Sequence, residues 1–188
     1  MNRRALVALG AILTAAALTS CGIQPESSPT AIDRPFRPTT SSSLTPDPPG
    51  AVRETLYLVR DGSLVAVNRY VSQTPTVEDL LADLRSGPTD EEHRSGLTSA
   101  LIGANLVASV RLDGTQAVVE LAAPVDGTAR TDDQLAFAQL VCTLTMLSGV
   151  ETVMFTHENQ PIGVPRGDGS VSTGPLTGAD YATMMELG

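Results

Sequence analysis

The residues that could perform acid–base, nucleophilic or metal chemistry in this sequence are few and far apart. Two histidines, His93 and His157, and two cysteines, Cys21 and Cys142, occur among 188 residues. A catalytic site needs a nucleophile, a base and an orienting group within reach of one another, and a zinc site takes about four ligands. His93 lies in a charged run, and His157 ends a predicted strand. The sequence therefore predicts no catalytic residue, no metal site and no cofactor, and favours a protein that is not an enzyme.

Cys21 stands at a boundary typical of exported proteins. A basic start, Arg3 and Arg4, is followed by an uncharged apolar run over residues 5–17 and then by small residues before the cysteine. This is the order of a secretory signal peptide. The apolar run is shorter than the roughly 20 residues that span a bilayer. We therefore predict that residues 1–20 are a signal peptide that is removed.

The residues at the predicted cut indicate a lipid on the sulfur of Cys21. The stretch Leu18–Cys21 reads Leu-Thr-Ser-Cys. It resembles the bacterial lipobox, whose cysteine receives diacylglycerol through a thioether before the signal is cleaved. Cleavage is then predicted between Ser20 and Cys21. The alternatives are an ordinary secreted protein in which Cys21 is incidental, and an uncleaved anchor helix.

The acidic composition restricts the partners and the mode of membrane attachment. The formal net charge is −9 at pH 7, which gives no electrostatic footprint for phosphate backbones, so no nucleic acid is expected as a partner. Anionic headgroups repel such a chain as well. Since headgroup attraction is excluded, we expect membrane attachment to come from the diacylglyceryl group on Cys21. Two acyl chains are enough to hold a protein stably on a membrane. We expect the chain on the outer face of the cytoplasmic membrane, lipid-anchored and extracytoplasmic.

Beyond Cys21 the sequence divides into a tether and a domain. Residues 21–52 are rich in Pro, Ser and Thr with few large apolar side chains, so they cannot offset the entropy of ordering and are predicted to be disordered. Residues 53–188 are predicted to fold. In this domain Asp61-Gly62 joins two stretches, 54–60 and 63–71, in the pattern of a β-hairpin.

Two main helices are predicted in the domain. Thr74 before Pro75 is expected to begin the first, which ends at Gly87. Its core face has the spacing i, i+3, i+4 and i+7, filled by Val77, Leu80, Leu81 and Leu84.

The second helix is expected to begin with a capping box of Thr131 and Gln134 and to run to about Ser148. Only Gln139 and Thr143 form a polar stripe on it, so it should be covered on most sides and lie at the centre of the core.

The remaining elements complete an α+β pattern. A second hairpin is predicted around Asp113-Gly114, with a half-buried first strand whose apolar face would carry Leu106, Ala108, Val110 and Leu112. A strand over residues 151–157, a short companion at 162–164 and a short helix over 178–186 follow. Two strands, a helix, two strands, a helix and two strands predict an antiparallel or mixed sheet built from β-β-α units with both helices on one face.

Cys142 is predicted to be a buried structural thiol. It lies in the run 135–147, in which nearly every residue is apolar, and such cysteines are inert. With Cys21 acylated, no disulfide within the chain is possible.

The segment Thr89–Ala104 is predicted to be a loop and the best candidate for a binding surface. It has no sustained hydrophobic period, carries a charge cluster, and is longer than most connections in a compact domain. The candidate binding residues are Pro88, His93, Arg94 and Leu97.

Several short motifs in fixed order resemble a known family. They are Thr74-Pro75, Leu80-Leu81, Gly87-Pro88, Gly96-Leu97-Thr98-Ser99-Ala100, Val118-Val119-Glu120-Leu121, Gln139-Leu140-Val141, Thr143-Leu144-Thr145 and Gly149-Val150. Their order over roughly residues 53–183 is similar to that of a GerMN domain, a family named for a sporulation and germination protein. The resemblance implies an α+β module of the kind carried by lipoproteins of actinobacterial envelopes, and it implies no catalytic residues.

Taken together, the residues and the resemblance predict a membrane-anchored binding module. The expected partner is a protein of the cell envelope. The alternatives are a module that binds peptidoglycan or another glycan, and an unrecognised hydrolase. The absence of Trp counts against the glycan, because sugar-binding sites commonly stack rings on aromatic faces, and the scattered nucleophiles count against the hydrolase.

Overall fold

A computed structural model describes residues 50–125 and 131–186. The elements in chain order are β1 Val52–Arg60, β2 Ser63–Val71, α1 Val77–Ser86, α2 Asp90–Arg94, β3 Val107–Asp113, β4 Gln116–Leu121, α3 Thr131–Leu144, β5 Thr152–His157, β6 Gln160–Pro161, β7 Val164–Pro165, β8 Val171–Ser172 and a 3₁₀ helix Gly178–Met184. The predicted α+β class is confirmed. Ser20, Cys21 and the predicted tether as far as residue 49 lie outside the described residues.

The first predicted hairpin is confirmed. β1 and β2 pair antiparallel, with Arg60 opposite Ser63. Asp61 and Gly62 between them have φ angles of 51° and 78°, the positive values that a two-residue type I′ turn requires. The local sequence therefore fixes the register of the whole hairpin.

Helix α1 buries the predicted face but begins later than expected. The four predicted core residues, Val77, Leu80, Leu81 and Leu84, are at most 6% exposed. The N-cap is Thr76 and not Thr74. Thr76 and Asp79 form a reciprocal capping box, because the Asp79 side chain stands three residues after the cap and accepts from the Thr76 N–H at 2.9 Å. Gly87 ends the helix as predicted, with φ at 80°.

The prediction of a continuous loop over residues 89–104 is wrong. The segment contains α2, which begins with a second capping box formed by Thr89 and Glu92. Beyond α2, Thr98 exchanges two main-chain hydrogen bonds of 2.8 Å with Val59 of β1. Much of this segment is therefore hydrogen-bonded to itself or to the hairpin.

The second hairpin forms, but the predicted buried face of β3 is wrong. A bulge between Val107 and Ser109 shifts the register against β4. Val107 and Val110 are buried, whereas Leu112 is 50% exposed. A bulge inserts one residue into the strand, which breaks the strict alternation on which the prediction depended.

The four-stranded sheet is mixed. Its order is β3-β4-β5-β6, with β4 and β5 parallel and the other neighbours antiparallel. α3 lies in the connection between β4 and β5, as parallel neighbours require a crossover. The companion strand predicted at 162–164 is misplaced. β6 lies earlier, at Gln160–Pro161, and pairs with β5, whereas Val164 belongs to β7, which pairs with β8 in a separate ribbon.

Helix α3 is the predicted central helix, with corrected ends. All ten residues from Leu135 to Leu144 are buried. The helix ends at Leu144 and not at Ser148. Thr131 is its first residue, and the Gln134 amide donates to the Arg166 carbonyl at 3.0 Å. The predicted capping box is therefore not formed.

The polar stripe of α3 satisfies the main chain of β1. The Tyr57 N–H donates to Thr143 Oγ1 at 2.9 Å, and the Gln139 amide donates to the Tyr57 carbonyl at 2.9 Å. Gln139 Oε1 also accepts from the Ala100 N–H at 2.6 Å. Both side chains are fully buried. They therefore provide the hydrogen bonds that a neighbouring strand would otherwise make to the main chain of β1 at Tyr57.

Candidate functional site

The four candidate binding residues differ in their exposure to solvent. His93 and Arg94 are exposed on α2, and Pro88 is half-buried. Leu97 is 6% exposed and belongs to the core, so it does not contribute to a surface. The exposed side chains of this helix, here called the α2 surface, are Asp90, Glu91, His93 and Arg94.

A partly buried ion pair holds α2 against the first hairpin. Arg69 of β2 donates from Nη2 and Nε to the Glu92 carboxylate at 2.7 and 3.0 Å, and from Nη2 to the Gly87 carbonyl at 3.0 Å. The two side chains are 17% and 14% exposed. The hydrogen bonds from Arg69 lower the pKa of Glu92. Bidentate pairing of this kind fixes geometry as well as charge.

The segment after α2 is held by further hydrogen bonds. Ser99 Oγ donates to the Leu84 carbonyl at 2.7 Å, in addition to the bonds of Thr98 and Ala100. Ile102 is 55% exposed. Its side chain occupies the space beside Gly87, where a Cβ atom would lie 2.6 Å from Ile102 Cδ1. The α2 surface is thus carried on a preorganised support.

His157 lies at the end of β5, beside a hydroxyl and a carboxylate. Thr156 Oγ1 donates to Glu120 Oε2 at 2.6 Å, and this bond is the main reason that the pKa of Glu120 is lowered. The imidazole Nδ1 lies 3.0 Å from the Leu121 carbonyl oxygen. The hydroxyl therefore donates to the carboxylate and is not activated by the ring.

Cys142 is a buried thiol, as predicted. It is 1% exposed and free of a disulfide. Burial raises its pKa to about 12. A thiol of this kind is almost never ionised near neutral pH and is a poor nucleophile.

A cavity that the sequence did not predict opens between α1 and the connection after β2. Its volume is about 370 Å³. It is lined by Glu54, Val71, Ser72, Gln73, Thr74, Pro75, Thr76, Asp79 and Asp83. Three carboxyl groups from two elements therefore face one small space, and we call it the acidic cavity.

Glu54 is the unusual member of the acidic cavity. The residue is 2% exposed, and neither carboxyl oxygen has a hydrogen-bond partner. Burial, followed by the proximity of Asp83, raises its pKa to about 7; Asp79 adds to the rise and Arg69 opposes it. A proton on Glu54 allows it to donate to Asp83, because two ionised carboxylates can only accept. Near neutral pH, Glu54 therefore exists in both the protonated and the ionised form.

One sequence signal could have identified Glu54. It precedes Leu56 and Leu58 at spacings of two, and all three residues are buried. Alternate residues of a strand share a face, so the period places a carboxyl group on the core side of β1. The contribution of Asp83 comes from α1 and is not visible in this local pattern.

Among the described residues, no group of three or more His, Cys, Asp or Glu side chains could hold a metal ion. Within the same residues, no helix is both long and apolar enough to cross a membrane.

Comparison with known proteins agrees with this fold. The tandem GerMN domains of the sporulation protein GerM from Bacillus subtilis align with a TM-score of 0.51 and 15% identity, covering 73% of this chain and 49% of that one. The chain thus spans about half the length of that structure. The first GerMN domain of the same protein aligns with a TM-score of 0.46 and 21% identity, covering 57% and 84% of the two chains. At 15% identity, the match to the tandem domains shows likeness of fold alone.

The family comparison is based on sequence. A search of curated protein sequences finds no significant match. The profile of the Germane family, described as sporulation and spore germination, matches residues 44–163. The match covers more than half of the chain and confirms the GerMN-type domain predicted from its motifs. The chain therefore belongs to the Germane family.

Proposed function

We propose that the chain is a lipid-anchored extracytoplasmic protein whose Germane domain binds another protein of the cell envelope and catalyses no reaction. The observation that carries the proposal is the α2 surface: a short exposed helix held by the Arg69–Glu92 pair on a hydrogen-bonded support. Such preorganisation lowers the entropic cost of binding a partner.

The anchoring part of the proposal depends on Cys21. Its context of basic, apolar and small residues supports export and lipidation. The acidic composition supports attachment through lipid in preference to a basic patch. The intervening residues then serve as a tether between the membrane and the domain.

The binding part of the proposal depends on the exposed residues of α2. Arg94 offers a flexible cation, and arginine is enriched among the residues that dominate protein interfaces. His93 lies beside it on the same exposed helix. Ile102, near the end of α1, adds an exposed apolar side chain close to Gly87 in the same region. Protein interfaces commonly combine polar and apolar side chains.

Photo-crosslinking in living cells tests the proposal. A photoreactive phenylalanine replaces His93 or Arg94, and the control places it at Val171, which is 60% exposed on β8. We expect one dominant protein adduct from each α2 position and none from the control. An adduct that muramidase digestion breaks down would assign peptidoglycan as the ligand instead. The same adducts from all three positions would contradict a specific α2 surface.

A further inference from the structure

Within the acidic cavity, the Glu54 carboxyl group has no hydrogen-bond donor. Both carboxyl oxygens of Glu54 are buried without a partner, although buried polar groups in proteins are nearly always hydrogen-bonded. Asp79 already accepts the Thr76 N–H and hydroxyl, each at 2.9 Å. Asp83 is 39% exposed in its side chain. Glu54 and Asp83 are therefore the carboxyl groups with capacity left for a ligand.

Arg69 does not fill this role. It lies opposite Glu54 in the hairpin register, but its Nε and Nη2 atoms donate to Glu92 and the Gly87 carbonyl. Its closest approach to Asp83 is 4.0 Å, from Nη1 to Oδ1. The protein thus places a cation beside the acidic cavity and directs its hydrogen bonds elsewhere.

The shape of the cavity favours an organic cation. A volume of about 370 Å³ is far larger than the roughly 30 Å³ share of a water molecule, and it has room for an aliphatic chain. Val71 and Pro75 provide apolar wall, and Ser72 and Thr74 provide hydroxyl groups. Seven of the nine lining residues are polar or charged, so the site suits a cation carried on a short apolar stem.

We propose that the acidic cavity receives a basic side chain of a protein partner, whose ammonium or guanidinium group binds between Glu54 and Asp83. The methylenes of that side chain lie against Val71 and Pro75. Asp79, at the start of α1, adds negative charge. The ligand supplies the donor that Glu54 lacks. This inference rests on the proposed function only in assigning the cation to a protein.

Protons and the basic side chain compete for Glu54. The charged groups that act on it are Asp83 and Asp79 of α1 and Arg69 of β2, and its pKa is about 7. At pH 6 most of the sites carry a proton, and at pH 8 few do. We therefore expect binding to be about ten-fold tighter at pH 8 than at pH 6.

Titration with short analogues tests the inference. The full chain, ¹⁵N-labelled and purified in a non-ionic detergent, is titrated with Nα-acetyl-lysine methylamide and Nα-acetyl-arginine methylamide, and with the neutral norleucine analogue. The variants are Glu54→Gln and Asp83→Asn. Glu78→Gln is the matched control, because Glu78 lies on α1 outside the cavity lining. Circular dichroism verifies that each variant is folded.

We expect at least one basic analogue to bind with a Kd on the order of 1 mM and to shift the amide signals of residues 71–74 and 76. Either cavity variant should weaken binding by about ten-fold or more, whereas Glu78→Gln and wild type should agree. Absence of saturable binding by both basic analogues, equal binding of norleucine, or unchanged affinity in both variants overturns the inference. The titration does not involve α2. The failure of this inference is therefore distinguishable from the failure of the proposed α2 surface, which only the crosslinking tests.

Discussion

Replacing Glu54 by glutamine removes a charge that the acidic cavity holds without a donor. The folded-state pKa of about 7 lies above the ordinary value of 4.5. A carboxyl group with a raised pKa binds its proton more tightly when folded, so ionisation costs stability. The cost is absent below about pH 4.5, grows as the pH rises towards 7, and is fully present above 7. Glu54→Gln should therefore be more stable than wild type in alkaline solution.

The size of the effect follows from the two pKa values. Each tenfold change in proton affinity is worth about 1.4 kcal/mol, so the cost at pH 8 is at most about 3 kcal/mol. The Asp83 side chain is 39% exposed, so solvent screens part of this repulsion. We expect Glu54→Gln to gain about 1–2 kcal/mol at pH 8, or about 3–6 °C in Tm for a domain of this size.

Urea unfolding followed by circular dichroism at pH 5, 6, 7 and 8 measures this gain. We subtract the free energy of unfolding of wild type from that of Glu54→Gln at each pH. Groups whose pKa is lowered, such as Glu92 and Asp168, contribute equally to both proteins and cancel, so the difference reports the ionisation of Glu54. Glu78→Gln is the control for a lost charge on the neighbouring helix. A difference that does not change between pH 5 and pH 8 would refute the reasoning.

Three other changes probe the core. Gln139→Leu leaves two buried main-chain groups without partners and should cost about 2–5 kcal/mol in urea unfolding, whereas Gln160→Leu on exposed β6 should cost less than about 0.5 kcal/mol; equal costs would remove the structural role of Gln139. Leu81→Asp buries a charge on the core face of α1 and should abolish cooperative unfolding, while the exposed neighbour Ala82→Asp keeps it; a normal melt for the first would mean that this face is misassigned. Cys142 should resist iodoacetamide at pH 8 in the folded chain and react in urea; rapid modification without urea would contradict its burial.

The elements with strong local signals were predictable from the sequence. Asp61-Gly62 fixes a hairpin because few other residue pairs adopt two positive φ angles in succession. The spacing of Leu80, Leu81 and Leu84 gives the buried face of α1. The apolar run around Cys142 identifies the central helix, since a helix that is apolar on most sides must be covered.

The remaining features depend on competition between signals or on distant residues. Thr74 and Thr76 are both plausible caps, and the second is used because Asp79 completes a capping box there. α2 carried the same signal in Thr89 and Glu92, but its five residues are too few to show a hydrophobic period. The β3 bulge depends on pairing with β4, and no local pattern in the strand marks its position.

Only the contribution of β1 to the acidic cavity could be predicted from the sequence. The two-residue period of β1 places Glu54 on the core face, but the sequence gives no measure of its distance from Asp83. That proximity depends on how α1 packs against the hairpin. The resulting carboxyl pair is therefore a property of the tertiary structure.

The most direct test of the proposed anchored module is the fate of the Cys21→Ala variant in cells. Wild type and variant are expressed with radiolabelled palmitate, and membranes are separated after a high-salt wash. We expect a labelled, membrane-bound wild type, and a variant that carries no label and leaves the membrane once its signal peptide is removed. A processed variant that stays with the membrane, or a wild type without label, would contradict the lipid anchor.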